Sequence, residues 1–438
     1  MATRTELAHL LRRATFGPRA DDVDAAERAG LDATVTALFT PAGEDAGAAR
    51  TPVPALEPVA VPGPKADAAA RQKAREQQRQ QVTTVTLWWL DRMVQADHQL
   101  REKLTFYWHG HWATSVEKVR DAHLMLTQQQ TLYRYGAGDF GVLVKAMLRD
   151  PALIVWLDGQ KNTVRAPNEN LARELMELFT LGIGRYGEAD VRQAARALTG
   201  WRIDQPQRTA VFDPKRHDGG QKTILGATGA FDADGLADVL LAQAANAEFL
   251  AARLWSRYAS GDPVPADAGN RLVTAYRAGR DVGALLRAVL ADPAFGSTRG
   301  QLVKQPVEWA VGAMRQLGIR PGALPAAQQR QLLQGLDQLG QVPFKPPSVG
   351  GWPAGTAWLS TSAVQVRLRV ADLLAGHADP GVAGRLTAVP VAQRSDALAR
   401  LLVVDAFTER TRTVLAPAAG DVRRLIALGL ASPEYTVM

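Results

Sequence analysis

The chain has 438 residues, of which 46% are hydrophobic, so it is long enough for one large domain or roughly two to three ordinary ones. Its 51 basic and 44 acidic residues give a net charge of +7, and the basic residues are dispersed, so we expect no nucleic-acid partner. Because the chain has no cysteine, disulfides, zinc ribbons, thiolate nucleophiles and iron–sulfur clusters are excluded.

The hydropathy pattern bears on location. No stretch of about 18 apolar residues occurs, so we expect no membrane span. The N-terminus, MATRTELAHLLRRATFGP, lacks an apolar stretch of signal-peptide length. We therefore expect a cytoplasmic protein from the sequence as it stands, and an exported one if a native leader precedes it.

The apolar spacing predicts helices along most of the chain. The first three cover residues 5–14, 20–29 and 31–39 and form an N-terminal unit, residues 1–40. Residues 41–65 are rich in Pro, Ala and Gly and have no periodicity, which predicts an exposed, mobile linker. The main helical domain follows over residues 66–438, with helices at 66–95, 99–109, 120–135, 139–149, 168–181 and 188–199.

Two later segments depart from the helical pattern. Residues 201–232 carry β-branched and aromatic residues in short runs, TAVFD and KTILG, so we expect an irregular loop with at most one small β-hairpin near 205–230. Residues 341–361 are rich in Pro and Gly but contain Phe344, Trp352 and Trp358, which favours an ordered loop packed on the core. The predicted fold class is mainly α: a large multi-helix globular domain with long Pro/Gly loops, whose subdivision near residue 232 stays open.

The most informative segment is PNENLARELMELFTLG, residues 167–182. Asn168 suits an N-cap, Gly182 suits the C-terminal end, and apolar residues occupy one side of the helix. The polar residues of the opposite arc are Glu169, Asn170, Arg173, Glu174 and Glu177. An ordinary solvated, salt-bridged face explains this pattern. The alternative is a cleft in which the carboxylates act as acid/base groups or metal ligands and Arg173 holds an anionic substrate.

Two histidines flank a glycine in LTFYWHGHWATS, namely His109 and His111. An H-x-H pair points about 160° apart in a helix, but both rings can turn inward if the helix frays at Gly110. Trp108 and three further aromatic residues surround the pair. The alternative is that one histidine is a hydrogen-bonded core residue and the other lies at the surface.

A third candidate is His217 in FDPKRHDGGQKTILG, where the run His-Asp-Gly-Gly indicates a turn that presents polar groups, and Lys222 follows. A histidine beside a carboxylate fits either a metal site or an acid/base site. The chain contains no P-loop, no H-E-x-x-H, no G-x-S-x-G and no dinucleotide-binding fingerprint.

Blocks of sequence that span nearly the whole chain carry a resemblance. They are LLRRATFGP, REKLTFYWHGHWATS, PNENLARELMELFTLG with GEADVRQAARALTGW, FDPKRHDGGQKTILG, KQPVEWAVGAMRQLG and PFKPPSVGGWPAGTAWLST. In this order they resemble the bacterial family catalogued as domain of unknown function 1800. The resemblance implies no established activity. It implies frequent export and, because members are often encoded beside a sulfatase-like or alkaline-phosphatase-like protein, a partner of that kind.

The resemblance also implies one shared polar site. The residues that mark the family blocks in this chain are Trp108, His109, His111, Asn168, Glu169, Arg173, Glu174, Glu177, His217, Asp218 and Lys222. Three separate segments contribute to this set, which favours their convergence in the fold.

The first functional hypothesis is an enzyme that carries out hydrolysis or group transfer on a polar or anionic substrate. Its expected catalytic residues are His109, His111, Glu174, Glu177 and His217. A divalent metal, if one takes part, would be bound by His109, His111 and His217. The substrate would be bound by Trp108, Asn168, Arg173 and Lys222.

Two alternatives use the same residues differently. A non-catalytic binding or assembly protein would partner the sulfatase-like or phosphatase-like protein, and its polar blocks would be buried structural networks. A glycan-binding or envelope-binding protein would use Trp352 and Trp358 as platforms. Convergence of the three histidines on one cavity favours the enzyme, whereas separate, packed positions favour a structural role.

Overall fold

The structure, a computed structural model, describes residues 2–59, 63 and 66–438 and confirms the mainly α-helical class. The helices of the first half are α1 (Arg4–Ala14), α2 (Ala20–Ala29), α3 (Leu31–Phe39), α4 (Ala46–Ala49), α5 (Ala68–Gln95), α6 (Gln99–His111), α7 (Val116–Val119), α8 (Ala122–Tyr135), α9 (Phe140–Leu148), α10 (Pro151–Trp156), α11 (Asn170–Glu174) and α12 (Glu188–Ala197). The six residues Leu175–Thr180 continue α11 as a π-helical segment.

The second half is also helical. Its helices are α13 (Ala233–Leu241), α14 (Ala244–Tyr258), α15 (Ala266–Arg277), α16 (Val282–Ala291), α17 (Pro306–Leu317), α18 (Ala326–Gln338), α19 (Thr361–Ala375), α20 (Pro380–Ala388), α21 (Arg394–Leu401), α22 (Glu409–Leu415), α23 (Val422–Leu430) and α24 (Pro433–Thr436). Within the described part of the chain, no helix combines the length and the apolar character that crossing a membrane requires.

The segment between α3 and α5, predicted as a linker, is hydrogen-bonded to the helices near it. The Asp45 carboxylate accepts bonds from the backbone N–H groups of Ala48, Asp97 and His98. The Thr51 carbonyl accepts a bond from the indole N–H of Trp88. Residues 60–62, 64 and 65 of the predicted linker lie outside the described residues, and its mobility stays a prediction.

Two hairpins occupy the region where at most one was expected. Strand β1 (Trp201–Asp204) pairs antiparallel with β2 (Thr209–Phe212), and β3 (Lys222–Ile224) pairs antiparallel with β4 (Ala227–Gly229). The second hairpin turns at Leu225 and Gly226, whose φ angles of 49° and 85° are those of a two-residue turn that matches strand twist. The prediction was wrong in number because each β-rich run pairs with its own neighbour and not with the other run.

Two large apolar cores divide the molecule, and α6 contributes to both. Leu104 and Trp108 of α6 belong to the core formed with α9, α13, α14 and α16. Phe106 belongs to the core formed with α5, α17, α19 and α23. Glu102, Lys103, His109 and His111 of α6 are buried between these cores, whereas Arg101 is exposed.

The loop of residues 341–361 packs on the second core. Phe344 and Trp358 are buried, and Trp352 is half-buried with its ring stacked on Phe106 at a centroid distance of 5.6 Å. Trp358 is therefore not available as a platform for a glycan. Gly351 has a φ of +82° and lies so close to α6 that a Cβ there would overlap the Gly110 carbonyl oxygen. The loop thus covers the C-terminal end of α6.

Candidate functional site

The helix expected at residues 168–181 forms, but it changes type midway. The Asn168 side chain accepts a bond from the Asn170 backbone N–H at 3.0 Å, but Glu169 and not Asn168 holds the N-cap position of α11, without a side-chain cap bond. From Leu175 the helix widens to the π form, in which the Thr180 hydroxyl donates to the Leu175 carbonyl at 2.6 Å. Such widened turns leave carbonyl groups without their usual partners and recur at functional positions.

The charged face of this helix is ion-paired near the surface. Arg173 donates to both carboxylate oxygens of Glu188, at 2.8 and 2.7 Å, and to Glu169 at 3.2 Å. The Tyr186 hydroxyl donates to Glu177 at 2.6 Å. Burial, assisted by the charge of Glu177, raises the pKa of Glu174. Arg173 thus pairs with two carboxylates, and its role as an anion ligand stays a prediction.

His111 reaches this helix through the backbone. Its Nε2 lies 3.0 Å from the Phe179 carbonyl oxygen, within the π segment. The next carbonyl, of Thr180, accepts a bond from the side-chain amide of Asn246 at 2.8 Å. Burial, reinforced by the charge of Arg253, lowers the pKa of His111 to about 3. His111 is therefore a neutral, buried histidine whose Nε2 satisfies a carbonyl group at the π segment.

His109 has a different partner on the other side of α6. Its Nε2 accepts a bond from the Phe344 backbone N–H at 2.8 Å, and Phe344 has a φ of +66°. Burial lowers the pKa of His109 to about 3. The neutral ring thus stabilises a left-handed residue at the start of the loop. Trp108 is buried and donates from its indole N–H to the Gly136 carbonyl at 2.7 Å.

The third histidine segment is held together by its own residues. His217 Nδ1 lies 3.0 Å from the Thr199 carbonyl oxygen. Asp218 accepts two bonds from Arg196, at 2.6 and 3.1 Å, which lower the pKa of its carboxyl. Lys222 is buried and donates to the Asp218 and Gly220 carbonyls at 2.5 and 2.8 Å. These contacts fix the His-Asp-Gly-Gly turn.

The structure does not bring His109, His111 and His217 together. In a continuous helix the first two point to opposite sides, and the helix continues through Gly110 as far as His111. The described residues contain no group of three or more His, Asp or Glu side chains placed to hold a metal ion. Of the predicted residues, His111 does contact the helix that carries Glu174 and Glu177. Its partner there is the Phe179 backbone carbonyl oxygen and not a carboxylate.

A second polar region, which the sequence reasoning missed, lies at the junction of the two cores. We call it the basic cluster: Arg13, Lys103, Arg257, Lys304 and Glu308. Lys103 and Glu308 form an ion pair in which the side chains are 0% and 1% exposed. Arg257 donates to the other Glu308 oxygen at 3.1 Å, and Lys103 also donates to the Thr15 carbonyl at 2.8 Å. Lys103 and Arg257 thus contact the Glu308 carboxylate, and Arg13 and Lys304 lie near enough to feel its charge.

The pKa values in the basic cluster follow from burial and from this imbalance of charge. Burial lowers the pKa of Lys103 to about 7 although Glu308 opposes it. Burial also lowers the pKa of Lys304 to about 7, and its ammonium group lies 3.6 Å from the Tyr435 ring centroid. Burial would raise the pKa of Glu308, but Arg257 and Lys103 outweigh it and hold the value at about 2. The carboxylate stays charged while the lysines are poised to lose protons.

A cavity of about 120 Å³ opens beside this cluster, between α6, α14 and the loop. We call it the basic cavity; its walls include Tyr107, His111, Arg253, Arg257, Gln305 and Trp352. Arg253 and Arg257 stand one helical turn apart on α14 and both line it. Arg253 Nε and one terminal nitrogen of Arg257 have no hydrogen-bond partner among the described residues. The cavity therefore offers donors and positive charge to a ligand.

One signal could have found this region. Arg13, Lys103, Lys304 and Glu308 all lie in the family-like blocks; each has an apolar neighbour in the sequence, and Glu308 has one on both sides. Charged residues are seldom buried unless they are paired, so a charged residue beside apolar residues can indicate a buried ion pair. The spacing of Arg253 and Arg257 carries no such signal, since arginines four residues apart also occur on solvated faces.

Comparison with known proteins places the chain in a family without supplying an activity. No curated protein and no solved structure was found to match it. A match extends over residues 9–437, which is nearly the whole length and includes the basic cavity and all three histidine segments. The chain belongs to the family described as "Protein of unknown function (DUF1800)".

Proposed function

We propose that this protein binds a small anionic group in the basic cavity and carries out hydrolysis or group transfer on the substrate that bears it. The observation that carries the proposal is the pair Arg253 and Arg257, which line the cavity and each have one guanidinium nitrogen without a hydrogen-bond partner among the described residues. Planar guanidinium groups suit phosphate, sulfate and carboxylate oxygens. Buried donors without acceptors cost free energy, and a bound oxyanion removes that cost.

The surrounding charges support an anion in particular. Glu308 fixes Arg257 and is itself neutralised by Lys103, so one carboxylate is shared between two cations. Arg13 is completely buried and has two guanidinium nitrogens without hydrogen-bond partners among the described residues. Arg253 adds a further positive charge at the cavity wall. An excess of buried positive charge destabilises the empty protein, and a negative ligand compensates it.

The roles of the remaining residues follow from their positions. Trp352 and Phe106, whose rings stack on each other, give the cavity an apolar wall that suits the part of the substrate without charge. Glu174, Glu177 and His217 line other surfaces, and their catalytic roles stay predictions. A divalent metal bound by histidines also stays a prediction, and elemental analysis of the purified protein tests it.

The test is anion binding by the intact chain. Isothermal titration with inorganic phosphate, sulfate and acetate at constant ionic strength should show saturable binding of at least one anion. Arg253→Gln and Arg257→Gln should each weaken that binding by at least about tenfold, because a charge-assisted bond contributes roughly 1.5–3 kcal/mol. Arg330→Gln changes an exposed arginine on α18 and serves as the matched control.

Catalysis is tested on the same samples. A chromogenic phosphate monoester and a chromogenic sulfate ester are offered to the wild type and to the two cavity variants. Turnover that is lost in Arg257→Gln and retained in Arg330→Gln supports the proposal. Wild-type protein that binds none of the three anions, and whose thermal stability none of them raises, would refute it.

A second candidate is assembly with the sulfatase-like or phosphatase-like partner that the family resemblance implies. The observation in its favour is a pair of apolar residues one turn apart on α19, Val364 and Leu368, which are 55% and 45% exposed. Co-expression of the two proteins should yield a complex that Val364→Lys with Leu368→Lys disrupts. Retention of the complex in that double variant would count against this surface.

A further inference from the structure

His111 gives the basic cavity a hydrogen-bond acceptor beside its donors. Its Nε2 faces the Phe179 carbonyl oxygen at 3.0 Å, and a carbonyl can only accept, so Nε2 carries the ring proton. Nδ1 therefore has a lone pair. That nitrogen is buried and has no hydrogen-bond partner among the described residues. Because the ring lines the cavity together with Tyr107 and Arg253, Nδ1 is the ring nitrogen that remains for a ligand.

The tautomer of His111 is held by its surroundings. The Phe179 carbonyl lies in the last turn of the π segment, where carbonyl groups have no partner within the helix, so it is available to accept the bond from His111. Burial and the positive charge of Arg253 both oppose protonation of the ring. Nδ1 thus acts as an acceptor over the physiological pH range. Of the other polar side chains that line the cavity, the guanidinium groups of Arg253 and Arg257 can only donate, whereas the Tyr107 and Ser256 hydroxyl groups and the Gln305 amide can donate or accept.

A nitrogen that can only accept, placed beside guanidinium groups that can only donate, discriminates between oxyanions. Sulfate presents acceptor oxygens alone, so one of its oxygens would face the Nδ1 lone pair with no proton between them. Hydrogen phosphate carries a P–OH group, which donates to Nδ1 while its other oxygens accept from the guanidinium groups. A site built to bind a hydroxyl group rejects the analogue that lacks it, because its own buried polar atom is then left unpaired.

We propose that the basic cavity selects an oxyanion that bears its own hydroxyl group, the class of hydrogen phosphate, over sulfate, and that His111 Nδ1 makes the selection. This inference rests on the proposed function, since Arg253 and Arg257 must first hold an anion in the cavity. It names the chemical class of ligand for that site. It also assigns the two nitrogens of His111 to different tasks, one to the fold and one to the ligand.

Two substitutions separate the tasks. His111→Gln places an amide N–H where Nε2 stood, so the bond to Phe179 is kept and the Nδ1 acceptor is lost. His111→Asn places a carbonyl oxygen near the position of Nδ1, so the acceptor is kept and the bond to Phe179 is lost. His111→Gln should bind phosphate and sulfate equally well. His111→Asn should retain the preference for phosphate but unfold at a lower temperature.

The experiment is isothermal titration of wild type, His111→Gln and His111→Asn with inorganic phosphate and with sulfate, near neutral pH and at equal ionic strength. Wild type should bind phosphate about two- to tenfold more tightly than sulfate, the range that one net hydrogen bond supplies. In ¹⁵N-histidine spectra of the wild type, phosphate should shift the Nδ1 resonance of His111 and sulfate should not. This second measurement keeps the proposal testable if a variant does not fold.

The outcomes distinguish the two proposals. Equal binding of phosphate and sulfate by the wild type, abolished by Arg257→Gln, overturns the selection by His111 and leaves the anion site intact. An undiminished phosphate preference in folded His111→Gln overturns it as well. Binding of neither anion by the wild type refutes the anion site itself.

Discussion

The charged face of α11 and the basic cluster contain the same residue types in opposite surroundings. In the first, Arg173 pairs with Glu188, and their side chains are 34% and 64% exposed. In the second, Lys103 pairs with Glu308, and both side chains are almost completely buried. Exposed ion pairs contribute little because water solvates each partner well, whereas a buried charge depends on its partner. The regular spacing of charged residues in the sequence thus pointed to the exposed ion pairs of α11, whose loss costs less stability than the loss of one partner from the buried pair.

The sharpest test of this comparison is removal of one carboxylate from each region. Glu308→Gln should reduce the free energy of unfolding by about 3–5 kcal/mol, because Lys103 and Arg257 lose their shared buried counter-charge. Urea denaturation near neutral pH measures the loss. The matched control is Glu188→Gln, which removes the exposed partner of Arg173 and should cost far less. Equal losses in the two variants would show that burial does not distinguish the regions.

Acid titration sharpens the comparison for the histidines of α6. The pKa of each of His109 and His111 is lowered from 6.5 in the unfolded chain to about 3 in the folded protein. Between those values the unfolded chain binds more protons, so stability falls as the pH drops through this window. Each histidine contributes a slope of up to about 1.4 kcal/mol per pH unit.

His111→Gln removes one of these two groups. The dependence of unfolding free energy on pH, measured by urea denaturation at several values between about 4 and 6.5, should therefore become shallower by about one proton in that variant. A slope identical to that of the wild type would mean that the ring of His111 is solvated and not buried.

The smallest expected effect concerns the loop of residues 341–361, which covers the C-terminal end of α6. Gly351→Ala adds a Cβ that overlaps the Gly110 carbonyl oxygen, at a φ of +82°, so the loop must move away from α6. We expect a loss of roughly 1–3 kcal/mol in unfolding free energy and weaker anion binding, because Trp352 moves with the loop. Gly350→Ala is the control, since its Cβ would meet nothing nearer than the Ser348 hydroxyl at 3.6 Å. If Gly351→Ala left both the stability and the anion binding unchanged, the loop would not form the wall of the cavity.

Much of the secondary structure could be predicted from local patterns. Helices α2 and α3 begin and end at the predicted residues, with Gly30 between them at a φ of +84°. The π segment could not be predicted, because the periodicity of Leu175–Thr180 is compatible with an ordinary α-helix. Its widening accompanies contacts from His111 and Asn246, which lie far away in the sequence.

The candidate site was predicted less well than the fold. His111, a predicted catalytic residue, lines the basic cavity, whereas its predicted companions His109 and His217 contact Phe344 and Thr199. Identity and spacing alone do not show which way a side chain points or what it meets. The cavity that His111 lines is completed by Arg253 and Arg257, to which the sequence drew no attention.

By itself, the sequence determined that this protein is mainly α-helical and where many helices begin and end, because caps, glycines and apolar periodicity act over a few residues. The tertiary structure decided which charges matter. Lys103, Arg257 and Glu308 come from α6, α14 and α17, and they form one cluster because those helices meet at the junction of the two cores. Whether a charge is solvated or buried depends on packing between distant helices, which no local pattern encodes.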